Sequence, residues 1–486
     1  MICIVIKGPT LKEVHKQMQA ALPLADLLEW RLDGFENLDL EQLSLLRQQC
    51  QIPIIFTLRS ARQGGQYKGS EEQRLDWIKK LMALKPNYMD LEHDVPQVFI
   101  AFVRVHTQVI LSYHNFEVTP SDLAEVYTCL TAIPADIYKV AVLAQSITDA
   151  LRLIDFIKYK PKNVIGISMG KLGEISRIIG PLSLRLWTYA TLDEHLQTAP
   201  GQLTADVLQQ TYYYSALHAG MPLYGLIGNP IDKSISHWSH NATLHSLHLQ
   251  SIYLKMQVEA HELSCFIPLA KKLGFKGLSV TMPLKEAIYP YIDVLESSAQ
   301  NIGAVNTIAF EGEQVIGYNT DGTGALNAIE EKIKAKGCRF IILGAGGAAK
   351  AIAYEAKQRG AEVVILNRCA KRAVQLAKHL NCIGGDLAQM KMEAYTGYHV
   401  LINCTPEGLP IDPDHILSNA VVMDLTTQPK DTPLLMKAKQ KGCSIVYGYE
   451  MFVYQAIEQF EIWFKDLINK EQCLIILRSI VQEHIL

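Results

Sequence analysis

Ile137-Tyr138-Lys139-Val140-Ala141-Val142 reads as a buried strand in every position but one, and that one holds a lysine. Burial favours the neutral amine, which can attack a ketone and form an imine; the protonated imine then draws electrons from the neighbouring carbon. His114, at the end of the run Val109 to Tyr113, could take the proton released there. Glu29, Arg31, Arg59, Arg177 and Gln202 also end or follow short apolar runs. Alone, each arginine reads as a solvated surface group and Lys139 as a side chain snorkelling outward, but guanidinium groups converging on one mouth suit a small anionic substrate.

A second set of residues points to different chemistry. Phe340-Ile341-Ile342-Leu343 leads into Gly344-Ala345-Gly346-Gly347-Ala348 and then a helix-forming run, a strand–turn–helix order that suits a pyrophosphate. A further apolar strand (Glu362 to Leu366) ends in Asn367-Arg368, with Arg372 one helical turn on. Arginine in this place suits the 2′-phosphate of NADP(H), where an acidic side chain would suit NAD. Upstream lie Ser234-Ile235-Ser236, Ser279-Val280-Thr281, Lys285, Asn306 and Asp321. Singly these are caps and turns. Together their hydroxyls and amide could grip a polyol acid, while a Lys–Asp pair supplies the proton that hydride transfer to a ketone requires.

Two architectures must position these groups. From Met1 to about His218, eight apolar runs (Ile2 to Ile6, Leu27 to Leu32, Pro53 to Leu58, Tyr88 to Leu91, Val109 to Tyr113, Ile137 to Val142, Val164 to Ser168, Arg185 to Tyr189) alternate with helix-compatible stretches. That rhythm and length predict an α/β fold beginning with a (β/α)8 barrel, whose chemistry sits at the C-terminal strand ends. Thr204 to His218 reads as a helix closing the barrel, and Ala219-Gly220-Met221-Pro222 as the boundary. The expected organisation is a barrel over 1–219, a substrate domain over 220–325 and a Rossmann-type NADP domain over 326–447. Residues 448–486 are expected as helices (Met451 to Leu467, Gln472 to Ile485).

The 486 residues are 49% hydrophobic and 20% charged with a formal net charge of -3, a globular composition without the basic footprint of a nucleic-acid binder. Ten cysteines carry no CxxC pairs or His/Cys clusters, so no metal site is expected. No apolar stretch approaches a membrane span and Met1 to Lys7 carries no basic leader. A cytoplasmic enzyme with small-molecule partners is the expectation; oligomeric state is left open.

The first half resembles type I 3-dehydroquinate dehydratase. The resemblance rests on Glu29-x-Arg31-x-Asp33, Phe56 to Ser60 with Gly64-Gly65, Ser112 to Phe116, Lys139, Ser168-Met169-Gly170 through Ser176-Arg177, and Ala199 to Gln202. It implies a Schiff base on Lys139, His114 as general acid/base, and Arg177 and Gln202 as anchors for carboxylate and hydroxyls. Thr198 stands where a serine is usual, and Gln63 where a glutamate is usual near the histidine.

The second half resembles shikimate dehydrogenase, through Gly228-Asn229-Pro230, Lys285, Asn306, Asp321, the glycine turn, Ile402 to Thr405, Asp424, and Met451 with Gln455. It implies Lys285 and Asp321 as the catalytic pair, with Ser234, Ser236, Thr281, Asn306 and Gln455 on substrate, Thr405 beside the nucleotide, and the helices of 448–486 returning to the substrate domain. Ser279, His237 and Thr427 depart from the usual asparagine, proline and tyrosine. The two halves together resemble the bifunctional arrangement that runs consecutive shikimate-pathway steps. Two alternatives stay open: an active reductase behind an inactive barrel, and an NADP-binding regulator.

Overall fold

The computed structural model describes residues 1–183 and 186–485. These divide into two units, Met1–Leu223 with Gln250–Phe275, and Tyr224–Leu249 with Lys276–Leu486.

The first unit carries β1 (Ile2–Lys7), β2 (Leu27–Arg31), β3 (Ile54–Thr57), β4 (Tyr88–Glu92), β5 (Gln108–Asn115), β6 (Ile137–Leu143), β7 (Val164–Met169) and β8 (Thr188–Ala190). Their ladders are all parallel. The order β7-β6-β5-β4-β3-β2-β1-β8 is the cyclic order of a (β/α)8 barrel cut between β7 and β8. Seven expected strands are found within two residues at each end. The eighth was expected from Arg185, which lies outside the described residues.

Barrel strands are covered on both faces, which is why they read as unbroken apolar runs. Ile137 and Ala141 join Cys3, Val5, Ile55 and Ile165 in one core cluster, and the intervening Tyr138 and Val140 are buried as well. Lys139 shares the phase of Ile137 and Ala141. Of the helix expected over Thr204 to His218 only the first part forms: Ala205 and Asp206 lead into a five-residue π-helix (Val207–Thr211), and a separate 3-10 turn (Tyr214–Ala216) follows. Tyr212 and Tyr214 are both buried, and an α-helix would turn them about 200° apart.

Around the substrate-lobe site lie β9 (Leu223–Gly228), β11 (Phe275–Val280), β12 (Val294–Leu295), β13 (Thr307–Glu311) and β14 (Gln314–Tyr318), in the order β9-β11-β13-β14-β12. β10 (Ile252–Gln257) and the helix Leu263–Leu273 fall within the first unit. The second unit ends in a fully parallel sheet of β15 (Arg339–Leu343), β16 (Glu362–Asn367), β17 (Ile383–Asp386), β18 (Val400–Asn403), β19 (Val421–Asp424) and β20 (Ser444–Val446). Its order, β17-β16-β15-β18-β19-β20, is that of a dinucleotide-binding domain, with the topological switch between β15 and β18. The final helices are Gly448–Phe464 and Lys470–Ile485, and the first of them packs on the helix Asp321–Glu330.

Candidate active sites

At the C-terminal mouth of the barrel, Glu29, Arg31, Arg59, His114, Lys139, Arg177, Thr198 and Gln202 all line one cavity, together with Gln63 and Tyr189. Lys139 is 6% exposed. Its Nζ donates to Asp90 Oδ2 at 3.0 Å and lies 4.4 Å from the centre of the Tyr189 ring. The other Asp90 oxygen accepts from Arg59 Nη2 at 2.9 Å and Ser112 Oγ at 2.5 Å. Burial would raise the Asp90 carboxyl, but Arg59 and Lys139 hold it below the usual carboxylate range. Asp90 is not among the residues singled out from the sequence, although β4 carries the signal: Asp90 and Glu92 interrupt a buried strand at period two, as Lys139 interrupts β6.

His114 packs in parallel with the Phe116 ring, centroids 5.9 Å apart. Its Nδ1 is buried without a hydrogen-bond partner. Burial first, then the positive charges of Arg59 and Lys139, push its pKa well below that of an ordinary histidine, which favours the neutral ring. The nearby carboxylates are engaged elsewhere. Glu29 accepts from Thr57 Oγ1 at 2.6 Å, and Glu92 accepts from the Ser60 amide at 2.9 Å and from Arg74 at 2.8 Å.

Two of the cavity's arginines are neutralised within the protein, Arg31 by Asp33 and Arg59 by Asp90. Arg177 differs: it is 2% exposed, its Nε has no hydrogen-bond partner among the described residues, its Nη2 donates to the Pro200 carbonyl at 3.4 Å, and the carboxylate whose charge it feels is that of Glu174. Burial pulls the Arg177 pKa down to about 10. An unpaired buried guanidinium is a seat for an anion. Gln202 Oε1 accepts from the Thr198 amide at 2.9 Å and its hydroxyl at 3.2 Å, and Gln202 lines the cavity beside Thr198.

In the second unit, Ser234, Ser236, Thr281, Lys285, Asn306, Asp321 and Gln455 surround a cavity of about 420 Å³ that also reaches Ala348 and Thr427. Lys285 Nζ pairs with Asp321 Oδ2. Asn306 Nδ2 donates to Asp321 Oδ1 at 2.8 Å and to Gln455 Oε1 at 3.3 Å, and Asn306 Oδ1 accepts from the Thr320 amide at 2.9 Å. Gln459, absent from the sequence reading, sits one turn beyond Gln455. It donates to Thr307 Oγ1 at 2.8 Å and accepts from Ser279 Oγ at 2.9 Å. Ser279 thus braces this helix.

The residues expected to hold a nucleotide follow the C-terminal ends of the parallel strands, where Leu343 pairs with both Leu366 and Asn403. At Gly346 a Cβ would meet nothing within 4 Å, so the space above the turn and the start of the helix Gly347–Gln358 is open, as a pyrophosphate requires. Ala345, Gly346 and Arg372 line one groove there. Arg368 reaches the exposed Glu407 at 2.6 Å, and Thr405 Oγ1 donates to Asn403 Oδ1 at 2.7 Å. Asn367 Nδ2 donates to the Cys369 carbonyl at 3.1 Å. This donor set fits a 2′-phosphorylated dinucleotide. Among the described residues no cluster of metal-ligating side chains occurs.

Residues 2–219 match the type I 3-dehydroquinase family. Residues 226–308 match the shikimate dehydrogenase substrate binding domain, 327–436 the shikimate/quinate 5-dehydrogenase family, and 448–472 the shikimate 5′-dehydrogenase C-terminal domain. The shikimate biosynthesis protein AroDE of Chlamydia pneumoniae is 37% identical over 480 residues, 97% of each chain. The chloroplastic bifunctional 3-dehydroquinate dehydratase/shikimate dehydrogenase of Arabidopsis thaliana is 34% identical, over 95% of this chain and 82% of that one. Among solved structures, shikimate dehydrogenase from Aquifex aeolicus is similar with a TM-score of 0.51 at 33% identity, covering 55% of this chain and 99% of that one. A shikimate dehydrogenase in complex with NADP+ gives the same TM-score at 34% identity, covering 56% and 98%.

Proposed function

The chain belongs to the bifunctional 3-dehydroquinate dehydratase/shikimate dehydrogenase family, and from that membership we propose how its residues divide the two reactions. The enzyme dehydrates 3-dehydroquinate to 3-dehydroshikimate and reduces this to shikimate with NADPH. We assign the first step to residues 1–219 and the second to 220–486, with the nucleotide held over 326–447.

In the barrel, Lys139 Nζ attacks the substrate ketone and water leaves as the imine forms. His114, in its neutral form, removes a proton from the adjacent carbon while the iminium takes up the electron pair. The imidazolium returns that proton to the departing hydroxyl, which leaves as water, and hydrolysis of the imine frees Lys139. Arg177 takes the substrate carboxylate, Arg31 and Arg59 add positive charge, and Glu29, Thr198 and Gln202 orient hydroxyls. The convergence of Lys139, His114 and the unpaired Arg177 on one cavity carries this reading.

In the second unit, residues Gly344 to Ala348, Asn367, Arg368, Arg372 and Thr405 would hold NADP(H). The bound cofactor supplies a hydride. Lys285 donates a proton to the carbonyl oxygen as charge develops there, and Asp321, oriented by Asn306, holds Lys285. Ser234, Ser236, Thr281 and Gln455 grip the substrate. No helix among the described residues is long and apolar enough to cross a membrane, and a net charge of -3 gives nucleic acid no footprint. Both facts support a cytoplasmic enzyme with small-molecule partners.

Borohydride added during turnover of 3-dehydroquinate tests the barrel assignment. Substrate-derived mass on the peptide bearing Lys139 is expected. Dehydration without that label, or a label on another lysine, would overturn it.

A further inference from the structure

Side chains of alternating charge run through the barrel wall from solvent to the cavity: Glu71, Arg74, Glu92, Arg59, Asp90, Lys139. Arg74 reaches Glu71 at 2.7 Å and Glu92 at 2.8 Å, and Glu92 faces Arg59 at 3.6 Å. Arg59 reaches Asp90 at 2.9 Å, and Asp90 reaches Lys139 at 3.0 Å. Arg74 and Glu92 are each 1% exposed in their side chains, and neither lines the cavity.

Their backbone contacts show what the pair grips. Arg74 Nη1 donates to the Leu58 carbonyl at 2.7 Å, and Glu92 Oε1 accepts from the Ser60 amide at 2.9 Å. These are the residues on either side of Arg59. A buried ion pair is often replaceable by apolar side chains with no net loss of stability, so packing alone does not call for one here. Apolar side chains could not hold a carbonyl and an amide in fixed directions.

We propose that Arg74 and Glu92 are positioning residues of the dehydratase: they clamp the chain on both sides of Arg59 and so aim the guanidinium that sets Asp90 and, through it, Lys139. The proposal rests on the reading that Lys139 acts in the barrel.

Two double variants of the full chain separate positioning from stability. Arg74→Met with Glu92→Gln removes both charges but leaves an amide oxygen to accept from Ser60. Arg74→Met with Glu92→Met removes the acceptor as well. A misplacement near 1 Å costs roughly 10²-fold in rate, so kcat for dehydration in the Met/Met variant should fall by about that factor. The Met/Gln variant, which keeps the grip on Ser60 but not the one on Leu58, should recover part of the loss and stay below wild type. NADPH-dependent reduction of 3-dehydroshikimate by the same molecules should match wild type in both. Equal dehydration by the two double variants would overturn the proposal. Where the Met/Met barrel does not fold, Glu92→Asp decides: its shorter arm cannot span Arg74 and Ser60 together, and wild-type kcat would overturn the clamp. Dehydration that survives Lys139→Ala in a chain with Arg74 and Glu92 intact would instead remove the underlying reading, and the proposal with it.

Discussion

His114, the base of the proposed dehydration, has no hydrogen-bond partner on its buried Nδ1, and Gln63, where the family resemblance leads one to expect a glutamate, lines the same cavity. Burial and the charges of Arg59 and Lys139 lower its pKa, so the neutral, proton-accepting form persists to lower pH. The sign is fixed: an imidazolium cannot accept a proton, and the acid limb of dehydration tracks the His114 pKa. Glu at position 63 would stabilise the imidazolium and raise that pKa. Gln63→Glu should therefore move the acid limb to higher pH, and rate–pH profiles of the two proteins test it; superimposable profiles would show that residue 63 does not couple to His114. A second expectation concerns Arg368, whose partner in the structure is the exposed Glu407. Exposed pairs contribute about 0–1 kcal/mol, so a 2′-phosphate can take the guanidinium over. Arg368→Ala should raise KM for NADPH well above its effect on KM for NADH, and equal effects would show that Arg368 does not read the phosphate.

Elements turn these side chains into sites by packing closely enough that small errors reach the chemistry. Gly324, on the helix Asp321–Glu330, faces Gln455 so closely that a Cβ would lie 2.6 Å from the Gln455 amide nitrogen. Gly324→Ala should push the helix Gly448–Phe464 outward and carry Gln455 and Gln459 away from Asn306. Reductase kcat/KM should fall by roughly tenfold or more while dehydration is unchanged; normal reduction would mean that the helix yields without moving its glutamines. What the sequence could reveal follows the same physics. Strands buried on both faces write themselves as apolar runs, so one charged residue such as Lys139 stands out, and Asp90 could have been found by the same rule. Arg74 could not, because it lies on an amphipathic helix and its partner is set by tertiary packing. The strand Ile383–Asp386 was also illegible, since Ile383-Gly384-Gly385-Asp386 carries one apolar side chain, and Gln459 acquires meaning only once its helix is docked.

At the scale of the molecule, the proposed groups of each reaction fall entirely within one unit: Lys139, His114 and Arg177 in the first, Lys285, Asp321 and the nucleotide residues in the second. Each unit has cores of its own, such as the barrel interior around Ile55 and Ile165 and the sheet core around Phe340 and Ile402. Point changes in one site should leave the other working. Lys139→Ala should abolish dehydration and spare reduction of 3-dehydroshikimate, and Lys285→Ala should dehydrate normally while 3-dehydroshikimate accumulates. Loss of both activities in either folded variant would contradict separate sites. Mixing the two variants then asks whether the steps need one chain. Each supplies the activity the other lacks, so 3-dehydroquinate and NADPH should give shikimate after a lag that shortens as the Lys139→Ala protein is increased. That lag is the time for free 3-dehydroshikimate to build up and be captured by a second molecule. A mixture that dehydrates but forms no shikimate, although Lys139→Ala reduces added 3-dehydroshikimate, would mean that the intermediate does not leave the chain that makes it.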